Sequence, residues 1–391
     1  MIGKIVIFIL IGWFSTNNLL AQVYKIDSVI KLLVKDIDVD QVKEKGEFYS
    51  GMFVSFRGAS AFPHNYQPDN NIFFTAIGNF TLKNIQHKVK EEDKPKIDSI
   101  LTRSKNAFPY YQQKEGLPMY NFWPVGGKIM PHSFIAQHLS KQFSISEDAD
   151  DTVMILMMQS NNDSLNHLVK KRMVAVSNLG SAGKNIKSTF KRYRHYKAYT
   201  TYLGYKMQTD FDFAVQCNIM YFMYSKGIHT SEQDTATIQL LAEMVKERLY
   251  IKKPKFISPY YGHPALLLYH LTRLISAFHP IELEMHKSTI IQDLQDLYAK
   301  ATSPLEKILL QTSLIRMGET AEMPTDREIQ EIRLTDQKKI SFFQARPAYW
   351  MRPWLKNIFL HAAFVNYNFF SPTYDKILLL ENLVLRKTSL P

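Results

Sequence analysis

Cysteine and glycine are scarce in this chain. Its 391 residues include one cysteine, Cys217, and 15 glycines. A lone cysteine cannot form an internal disulfide, so the core must stabilise the chain even in an oxidising compartment. The low glycine content argues against a β-rich or glycine-loop architecture. The sequence also contains no G-x-S-x-G elbow, P-loop or dinucleotide fingerprint, which are the common signatures of serine hydrolases and nucleotide-binding enzymes.

Metal and nucleic-acid motifs are also missing. His195, His263, His270 and His361 stand singly, which is more typical of packing or surface residues than of zinc ligands. Lysine and arginine exceed aspartate and glutamate by 12, yet no helix-turn-helix, zinc-finger or ribonucleoprotein motif accompanies this charge. We therefore expect no metal, no other cofactor and no nucleic-acid partner. The positive surface should attract anions.

The first 22 residues have the layout of a signal peptide. Lys4 supplies a positive charge, Ile5 to Phe14 form an apolar centre, and Leu19-Leu20-Ala21 fits a cleavage site before Gln22. The apolar centre is about ten residues long, whereas roughly 20 are needed to span a bilayer. We expect a secreted or periplasmic protein without a transmembrane anchor, in which residues 23–391 form a single domain.

Six segments share one format, in which a capping residue or a proline precedes a long apolar run. Asp, Ser and Thr accept hydrogen bonds from free backbone N–H groups at a helix start, and Pro suits the first helical position. Ser303-Pro304-Leu305-Glu306 has the pattern of a full capping box. The six predicted helix starts are Pro68-Asp69, Glu147-Asp148, Thr209-Asp210, His263-Pro264, Ser303-Pro304 and Ser371-Pro372.

The runs after these starts are apolar on most sides, as Val153 to Met158 and Ala265 to Tyr269 illustrate. This pattern is typical of buried helices. Amphipathic segments such as 95–108 and 231–249 lie between the runs and suit helices with one wet face. Six buried helices that alternate with exposed ones predict an all-α fold, an (α/α)6 toroid whose inner helices start at a common rim. An irregular all-α domain is the alternative, because the starts are unevenly spaced.

The segment Asp148-Ala149-Asp150-Asp151-Thr152 concentrates acids at one of these starts, directly after Glu147. A helix N-terminus favours ionised carboxylates, so one acid there is ordinary capping. Several acids repel each other. Two carboxylates about 6 Å apart, at an effective dielectric near 20, repel by roughly 2–3 kcal/mol, or about two pKa units. In a dry cavity one Asp would keep its proton at neutral pH, as a general acid must.

This D-x-D-D-T segment and the apolar helix after it resemble the acid motif of the class II terpene cyclases and squalene–hopene cyclases. The resemblance implies an α/α toroid of the terpenoid cyclase and protein prenyltransferase superfamily, in agreement with the pattern of helix starts. It also implies that the middle acid, Asp150, donates a proton to a carbon–carbon double bond, while Asp148 and Asp151 polarise and orient it. The substrate would then be a polyprenyl chain or another apolar alkene.

Polar and aromatic residues near the other helix starts would line the same cavity if the starts share a rim. Aromatic faces stabilise a cationic intermediate, but an aromatic wall with carboxylates equally suits a stacked sugar ring cleaved between two acids. In a purely structural interpretation Trp123 packs the top of the core and the polar groups only cap helices. The candidate binding residues are Asp69, Asn70, Asn71, Tyr120, Trp123, Asp210, Asp212, Tyr261 and His263.

Residues 184–206 contain seven basic residues and no acid, with an aromatic residue at every third position from Phe190 to Tyr205. A step of three turns an α-helix by about 300°, so these rings would wind around a helix rather than form a stripe. We expect a helix that breaks into a loop near Thr200. The segment could hold a phosphate, a sulfate or a uronate chain, although tyrosines packed beside a solvated basic linker are the favoured interpretation.

Three functions remain open from the sequence. The first is an exported terpenoid cyclase-like enzyme that uses Asp150 as its general acid. The second is a glycan-active toroid, hydrolase or lyase, whose carboxylates flank a glycosidic bond and whose basic stretch binds an anionic chain. The third is a non-catalytic binding protein with the same fold. The expected partner is a small-molecule or glycan substrate, neutral or anionic.

Overall fold

The computed structural model describes residues 25–62, 65–113, 117–127, 147–159, 162–204, 209–334, 341–346, 351–362 and 366–389. The predicted signal peptide, residues 1–22, lies outside the described residues. A cluster of buried apolar side chains extends from Ile26 near the start of the described chain to Val384 near its end. These buried side chains form the hydrophobic core.

Most of the described chain is helical, which confirms the prediction of a mainly α-helical fold. Short 3-10 turns span Gln86–Lys88, Phe108–Tyr110 and Lys191–Tyr193. The α-helices are α1 (25–40), α2 (Phe73–Ile85), α3 (Lys94–Ser104), α4 (Ala149–Met158), α5 (Asp163–Val176), α6 (Phe213–Ser225), α7 (Glu232–Lys246), α8 (Leu249–Lys252), α9 (Pro254–Ile257), α10 (Pro264–Phe278), α11 (Ile281–Glu284), α12 (Lys287–Tyr298), α13 (Pro304–Arg316), α14 (Asp326–Leu334), α15 (Pro353–Phe359) and α16 (Pro372–Ser389).

A small antiparallel sheet accompanies the helices, so the fold is mainly rather than wholly α-helical. Its four strands are β1 (Phe56–Ala59), β2 (Tyr66–Pro68), β3 (Phe343–Ala345) and β4 (Tyr367–Phe370), in the spatial order β2-β1-β4-β3. In its register Phe56 lies opposite Pro68 and Phe370, and Phe343 lies opposite Phe369. Because β2 and β4 lead into α2 and α16, the sheet lies at the N-terminal ends of these two helices.

Four of the six predicted helix starts agree with the structure. Helices α4, α10, α13 and α16 begin directly after Asp148, His263, Ser303 and Ser371. The other two starts are displaced. Helix α6 is capped by Asp212 rather than Asp210. Helix α2 begins at Phe73 without a side-chain cap, because Pro68 is the last residue of β2.

The predicted capping box at the start of α13 was wrong. Ser303 makes no side-chain hydrogen bond to the free N–H groups of that helix. A capping box forms instead at α7, where the Ser231 side chain accepts from the Asp234 backbone and the Asp234 side chain accepts from the Ser231 backbone. The serine and the acid of this capping box are three residues apart, as in the predicted one, but the box lies at an amphipathic helix that packs outside the core.

Six helices are buried along most of their length and are called the core helices below: α2, α4, α6, α10, α13 and α16. All ten residues of α4 are buried, as expected for a helix that is apolar on every side. Along the chain α2 contacts α4, α4 contacts α6, α6 contacts α10, α10 contacts α13 and α13 contacts α16; α16 in turn contacts α2. Helices α3, α7, α12 and α14 pack against these core helices. No helix in the described part of the chain is both long enough and apolar enough to cross a bilayer.

Candidate active site

The acid-rich segment lies at the N-terminus of α4, where Asp148 is the capping residue. Its Oδ1 accepts hydrogen bonds from the backbone N–H groups of Asp150 at 2.7 Å and Asp151 at 3.2 Å. Its backbone is held between Tyr120 and Tyr202 by isolated bridges. Burial, followed by the nearby Asp150 charge, raises the pKa of Asp148 to about 8. The cap is therefore an acid that keeps its proton near neutral pH.

Asp150 is buried and receives two side-chain hydrogen bonds from elsewhere in the chain. The Asn218 amide nitrogen on α6 lies 2.7 Å from its Oδ1, and the Tyr261 hydroxyl donates to its Oδ2. Burial raises the pKa of Asp150 to about 6, while both hydrogen bonds and the Arg273 charge pull it down. Asp150 is thus the member of the acid segment whose carboxylate form is best solvated by the protein.

Asn218 is orientated by two groups on α10. Its amide oxygen accepts a hydrogen bond from Arg273 Nη2 at 2.5 Å and lies 2.9 Å from His270 Nδ1. Because the oxygen is used in this way, the amide N–H₂ must point to Asp150. The Arg273 guanidinium lies over the rings of Phe80, Tyr269 and Tyr221, at 4.8, 5.5 and 5.9 Å from their centroids. Its positive charge is therefore buried among aromatic faces.

His270 belongs to the same buried group and is uncharged. Burial, followed by the Arg273 and Arg316 charges, lowers its pKa well below the ordinary value. Its Nδ1 lies 3.0 Å from Arg273 Nη2. A second ion pair lies nearby, because Arg316 is 2.5 Å from Glu381 and its guanidinium covers the Tyr269 ring at 4.5 Å. The centre of the core helices thus carries paired polar groups within an aromatic shell.

Asp151 differs from its neighbours because neither carboxyl oxygen has a hydrogen-bond partner within the described residues. The side chain is fully buried. An isolated buried carboxylate is very costly, so the group takes up a proton instead. Consistently, burial and then the charges of Asp148 and Asp150 raise its pKa well above the ordinary value. The sequence predicts one retained proton in this segment, and the geometry assigns that role most firmly to Asp151.

Phe342 and Phe343 cover the acid-bearing ends of the core helices. The buried Phe342 ring lies 4.7 Å from Tyr374, 5.8 Å from His270 and 6.0 Å from Tyr261, measured between centroids. Phe343 lies 4.9 Å from Phe73, on the first core helix. Phe342 thus packs against the ring of Tyr261, the hydroxyl donor to Asp150. No pattern in the sequence predicts that these two rings pack here.

Asp69, Asn71 and Trp123 form a separate hydrogen-bonded cluster at the entrance to α2. Asp69 Oδ1 accepts from Trp123 Nε1 at 2.9 Å and from Asn71 Nδ2 at 3.0 Å, and Asp69 Oδ2 accepts from Arg57 Nε at 2.9 Å. Asp69 and Trp123 are buried. Burial raises the pKa of Asp69, and Arg57 opposes this rise. These contacts hold the β1 strand and the 119–123 loop together. The Asn70 carbonyl accepts from the Tyr111 hydroxyl at 2.5 Å.

Asp212 and Asp210 hold loops rather than facing an open cavity. Asp212 accepts from two backbone N–H groups of α6, from the Ser258 hydroxyl at 2.6 Å and from the Tyr260 N–H at 3.0 Å. Burial raises its pKa to about 7, against the effect of these hydrogen bonds. Asp210 accepts from Lys356 Nζ at 2.6 Å and from Ser188 at 2.8 Å.

The remaining predicted contacts are also structural. The Tyr120 hydroxyl accepts from Gln159 at 2.9 Å, at the C-terminal end of α4. His263 caps α10, where its Nδ1 lies 3.4 Å from the Ala265 N–H. Burial lowers the pKa of His263 to about 4, so the ring is neutral at physiological pH. Of the predicted binding residues, only Tyr261 touches Asp150 by a hydrogen bond.

The sequence did not point to three residues of the hydrogen-bonded network around Asp150: Asn218, His270 and Arg273. Each is a polar residue within a helix that is otherwise apolar on most sides. That contrast is the available signal, because a buried polar side chain needs a partner. His270 and Arg273 are also three apart, which places them on one face of α10. Cys217 precedes Asn218 and is buried, and burial raises the pKa of its thiol.

The basic-aromatic segment is packed mainly as a structural element. Residues 184–204 contain one 3-10 turn and no α-helix, so the expected helix before Thr200 was wrong. Arg192 and Lys197 pair with Glu247 and Glu232 near the ends of α7. The buried Tyr199 donates to Asp234 at 2.9 Å. Tyr199 therefore anchors the segment to the core. The two ion pairs compensate part of the positive charge of the segment.

Within the described residues, no group of three or more His, Cys, Asp or Glu side chains has an arrangement that could hold a metal ion. The acid segment at α4 is included in this finding. The chain matches no protein-family model, and a search of curated proteins found none with significant similarity.

Proposed function

We propose that this protein is an exported α/α-toroid enzyme of the terpenoid cyclase type, in which Asp150 protonates a carbon–carbon double bond of a polyprenyl or other apolar alkene. The observation that carries the proposal is the environment of Asp150, a buried carboxyl with two directed donors and a pKa of about 6. Such a group is an acid strong enough to act and yet protonated at mildly acidic pH.

The order of helix contacts supports the toroid. Each core helix contacts the next one in the chain, and the last contacts the first. A closed cycle of six buried helices, each followed by an outer helix or loop, is the arrangement of an (α/α)6 toroid. In that arrangement Asp150, Asn218 and His270 come from three successive inner helices and meet on the inside.

The proton transfer can be derived from the groups around Asp150. The π electrons of the alkene form a new C–H bond with the Asp150 proton, which leaves a carbocation and the Asp150 carboxylate. The Asn218 amide and the Tyr261 hydroxyl already point at the oxygens on which this negative charge develops. Such preorganised donors stabilise the transition state more than the neutral acid. The π electrons of a second double bond in the same chain then form a C–C bond to the cationic carbon and close a ring, and loss of a proton from the resulting cation to water completes the reaction.

The aromatic shell fits the charge of the intermediate. Phe342 packs against the rings of Tyr261, Tyr269 and Tyr374, and Tyr261 is the hydroxyl donor to Asp150. Aromatic faces of this kind stabilise cations. Glycan cleavage has less support, because Asp212, the neighbouring carboxylate on α6, is occupied by hydrogen bonds to loop residues.

The decisive experiment compares Asp150→Asn with Asp151→Asn in the purified mature protein. Acyclic polyprenyl hydrocarbons and alcohols are the substrates, and cyclic products are detected by gas chromatography with mass spectrometry. Asp150→Asn should abolish product while thermal stability holds. Asp151→Asn replaces a carboxyl that is already neutral, so it should retain most of the activity. A wild-type protein that forms no product from any of these alkenes, or an equally active Asp150→Asn variant, would remove the acid from the mechanism and favour the non-catalytic alternative.

A further inference from the structure

Helix α15 (Pro353–Phe359) buries its charged side chain and exposes two large apolar side chains. Its one charged side chain, Lys356, is 1% exposed, whereas Trp354 and Ile358 are 65% and 61% exposed. Residues four apart share a helix face, so Trp354 and Ile358 form a single apolar patch. Scattered apolar residues on a surface are ordinary, but a short helix that buries its lysine and presents a tryptophan outward needs an explanation.

Buried contacts fix this orientation. Lys356 Nζ lies 2.6 Å from Asp210 Oδ2 and 4.7 Å from the centroid of the Phe256 ring. Asp210 is itself fully buried and also accepts from Ser188. Rotation of α15 to bury Trp354 would leave the Asp210 carboxylate without its cation, which is strongly destabilising. The apolar face is therefore directed outward by a buried ion pair.

Exposed lysines lie on the two segments that contact the Lys356 side of α15. Ser188, which shares Asp210 with Lys356, is preceded by Lys187 and followed at three residues by Lys191. Phe256, which lies under Lys356, follows Lys252 and Lys253 and packs on Phe190 at 4.5 Å between centroids. All four lysines, Lys187, Lys191, Lys252 and Lys253, are exposed. Helix α15 thus packs, through Lys356, on two basic segments that contact each other.

We propose that α15 and these four lysines form a docking surface for an anionic lipid bilayer. Tryptophan prefers the membrane interface, an apolar helix face can insert among the acyl chains, and lysines attract acidic headgroups. A second copy of the chain is a poorer occupant, because a two-fold contact would bring the same lysines together on molecules that each carry a net charge of +12. This docking surface is independent of the proposed chemistry at Asp150.

The test is flotation of the purified mature protein with lipid vesicles. Phosphatidylcholine vesicles that contain phosphatidylglycerol should bind the protein, and pure phosphatidylcholine vesicles should bind it much more weakly. Binding should fall in about 1 M salt, where the Debye length is near 3 Å. Trp354→Ser combined with Ile358→Ser should weaken binding at least about tenfold, since it removes the inserted side chains. Lys187→Glu combined with Lys191→Glu should weaken it in low salt.

The matched control is Ile281→Ser combined with Met285→Ser. These two apolar side chains are 78% and 73% exposed beside the C-terminal end of α10, so the change has similar chemistry at another place and should leave vesicle binding unaltered. Thermal melting checks that every variant is folded. Equal binding by the α15 variant and the wild type, no binding to anionic vesicles, or a dimer that dissociates when Trp354 and Ile358 are replaced would each overturn the proposal.

Discussion

Asp150 and Arg273 are joined through the amide of Asn218, which donates to the carboxylate at 2.7 Å and accepts from the guanidinium at 2.5 Å. The two buried charges thus stabilise each other across one neutral side chain. Asn218 thus gives each of the two buried charged groups a hydrogen-bond partner, without direct contact between the two groups. It also fixes the direction from which Asp150 receives its hydrogen bond.

Replacement of Asn218 by Leu should destabilise the protein by about 2–4 kcal/mol. The variant has a side chain of similar size but leaves both Asp150 and Arg273 short of a partner, and hydrogen bonds to charged groups are worth about 1.5–3 kcal/mol each. Asn382→Leu is the control, because Asn382 Nδ2 bonds the neutral Thr312 hydroxyl at 3.0 Å and should lose only about 1 kcal/mol. Urea unfolding measures both. Equal losses would contradict a charge-bridging role for Asn218.

The stabilisation that Asp148 and Asp151 provide should fall as pH rises from about 4 to about 8. Asp148 has a folded-state pKa of about 8 and Asp151 a strongly raised one, against an ordinary value of 3.8. The folded state therefore binds more protons than the unfolded state, and this stabilisation is lost as pH rises. The slope is about 1.4 kcal/mol per pH unit for each carboxyl that stays protonated. Urea midpoints at several pH values measure it.

Asp151→Asn is the diagnostic variant for this pH dependence. The amide is neutral in both states, so the variant should show a flatter decline over this pH range than the wild type. Asp38→Asn is the control: against the effect of burial, hydrogen bonds from Arg103 and Lys43 lower the pKa of Asp38, so this variant should not flatten the curve. A slope unchanged by Asp151→Asn would mean that Asp151 is ionised in the folded protein.

The rate of the proposed reaction should fall as pH rises above about 6. The active form needs the Asp150 proton, so the rate should drop about tenfold per pH unit beyond its pKa. Tyr261→Phe removes a donor that favours the carboxylate; it should move the midpoint to higher pH and lower the maximal rate. Tyr260→Phe, whose hydroxyl lies 3.0 Å from that of Tyr202, is the control and should leave the midpoint unchanged. A midpoint that does not respond to Tyr261→Phe would separate Asp150 from the rate.

Phe342→Ala should cost about 3–5 kcal/mol and leave room beside Tyr261, the hydroxyl donor to Asp150. If Phe342 occupies the position of the substrate, a short prenyl hydrocarbon should bind there and raise the melting temperature of this variant. Phe53→Ala removes another fully buried ring, one that packs beside Gly78 and Ile377, and serves as the control. Equal stabilisation of both variants by the hydrocarbon would show general cavity filling rather than a site at the acid.

Local signals predicted the parts of the fold that depend on neighbours in sequence. Asp148 before an apolar run was enough to predict the cap of α4, because capping involves residues two and three positions away. The sheet could not be predicted in this way. Its strands have three or four residues, and β1 pairs with β4 about 300 residues later, so no periodicity marks them.

The site was predictable only in part, for a similar reason. Asp150 was identified by the crowding of acids, which is visible in the sequence. Its donors, Asn218 and Tyr261, are set by which helices and loops become neighbours. The sequence could not predict the partner of Asp210, because a lysine is expected at the surface, whereas Lys356 is buried here by its pairing with Asp210.

The lone cysteine provides a built-in reporter of core motion. Cys217 is buried in α6 next to Asn218, and its thiol has a raised pKa. A thiol reagent can therefore react only when α6 is transiently exposed, and the reaction rate measures the free energy of that opening. No engineered label is needed, and no second thiol competes. Alkylation kinetics can thus report on the helix that carries the Asp150 donor in the native protein.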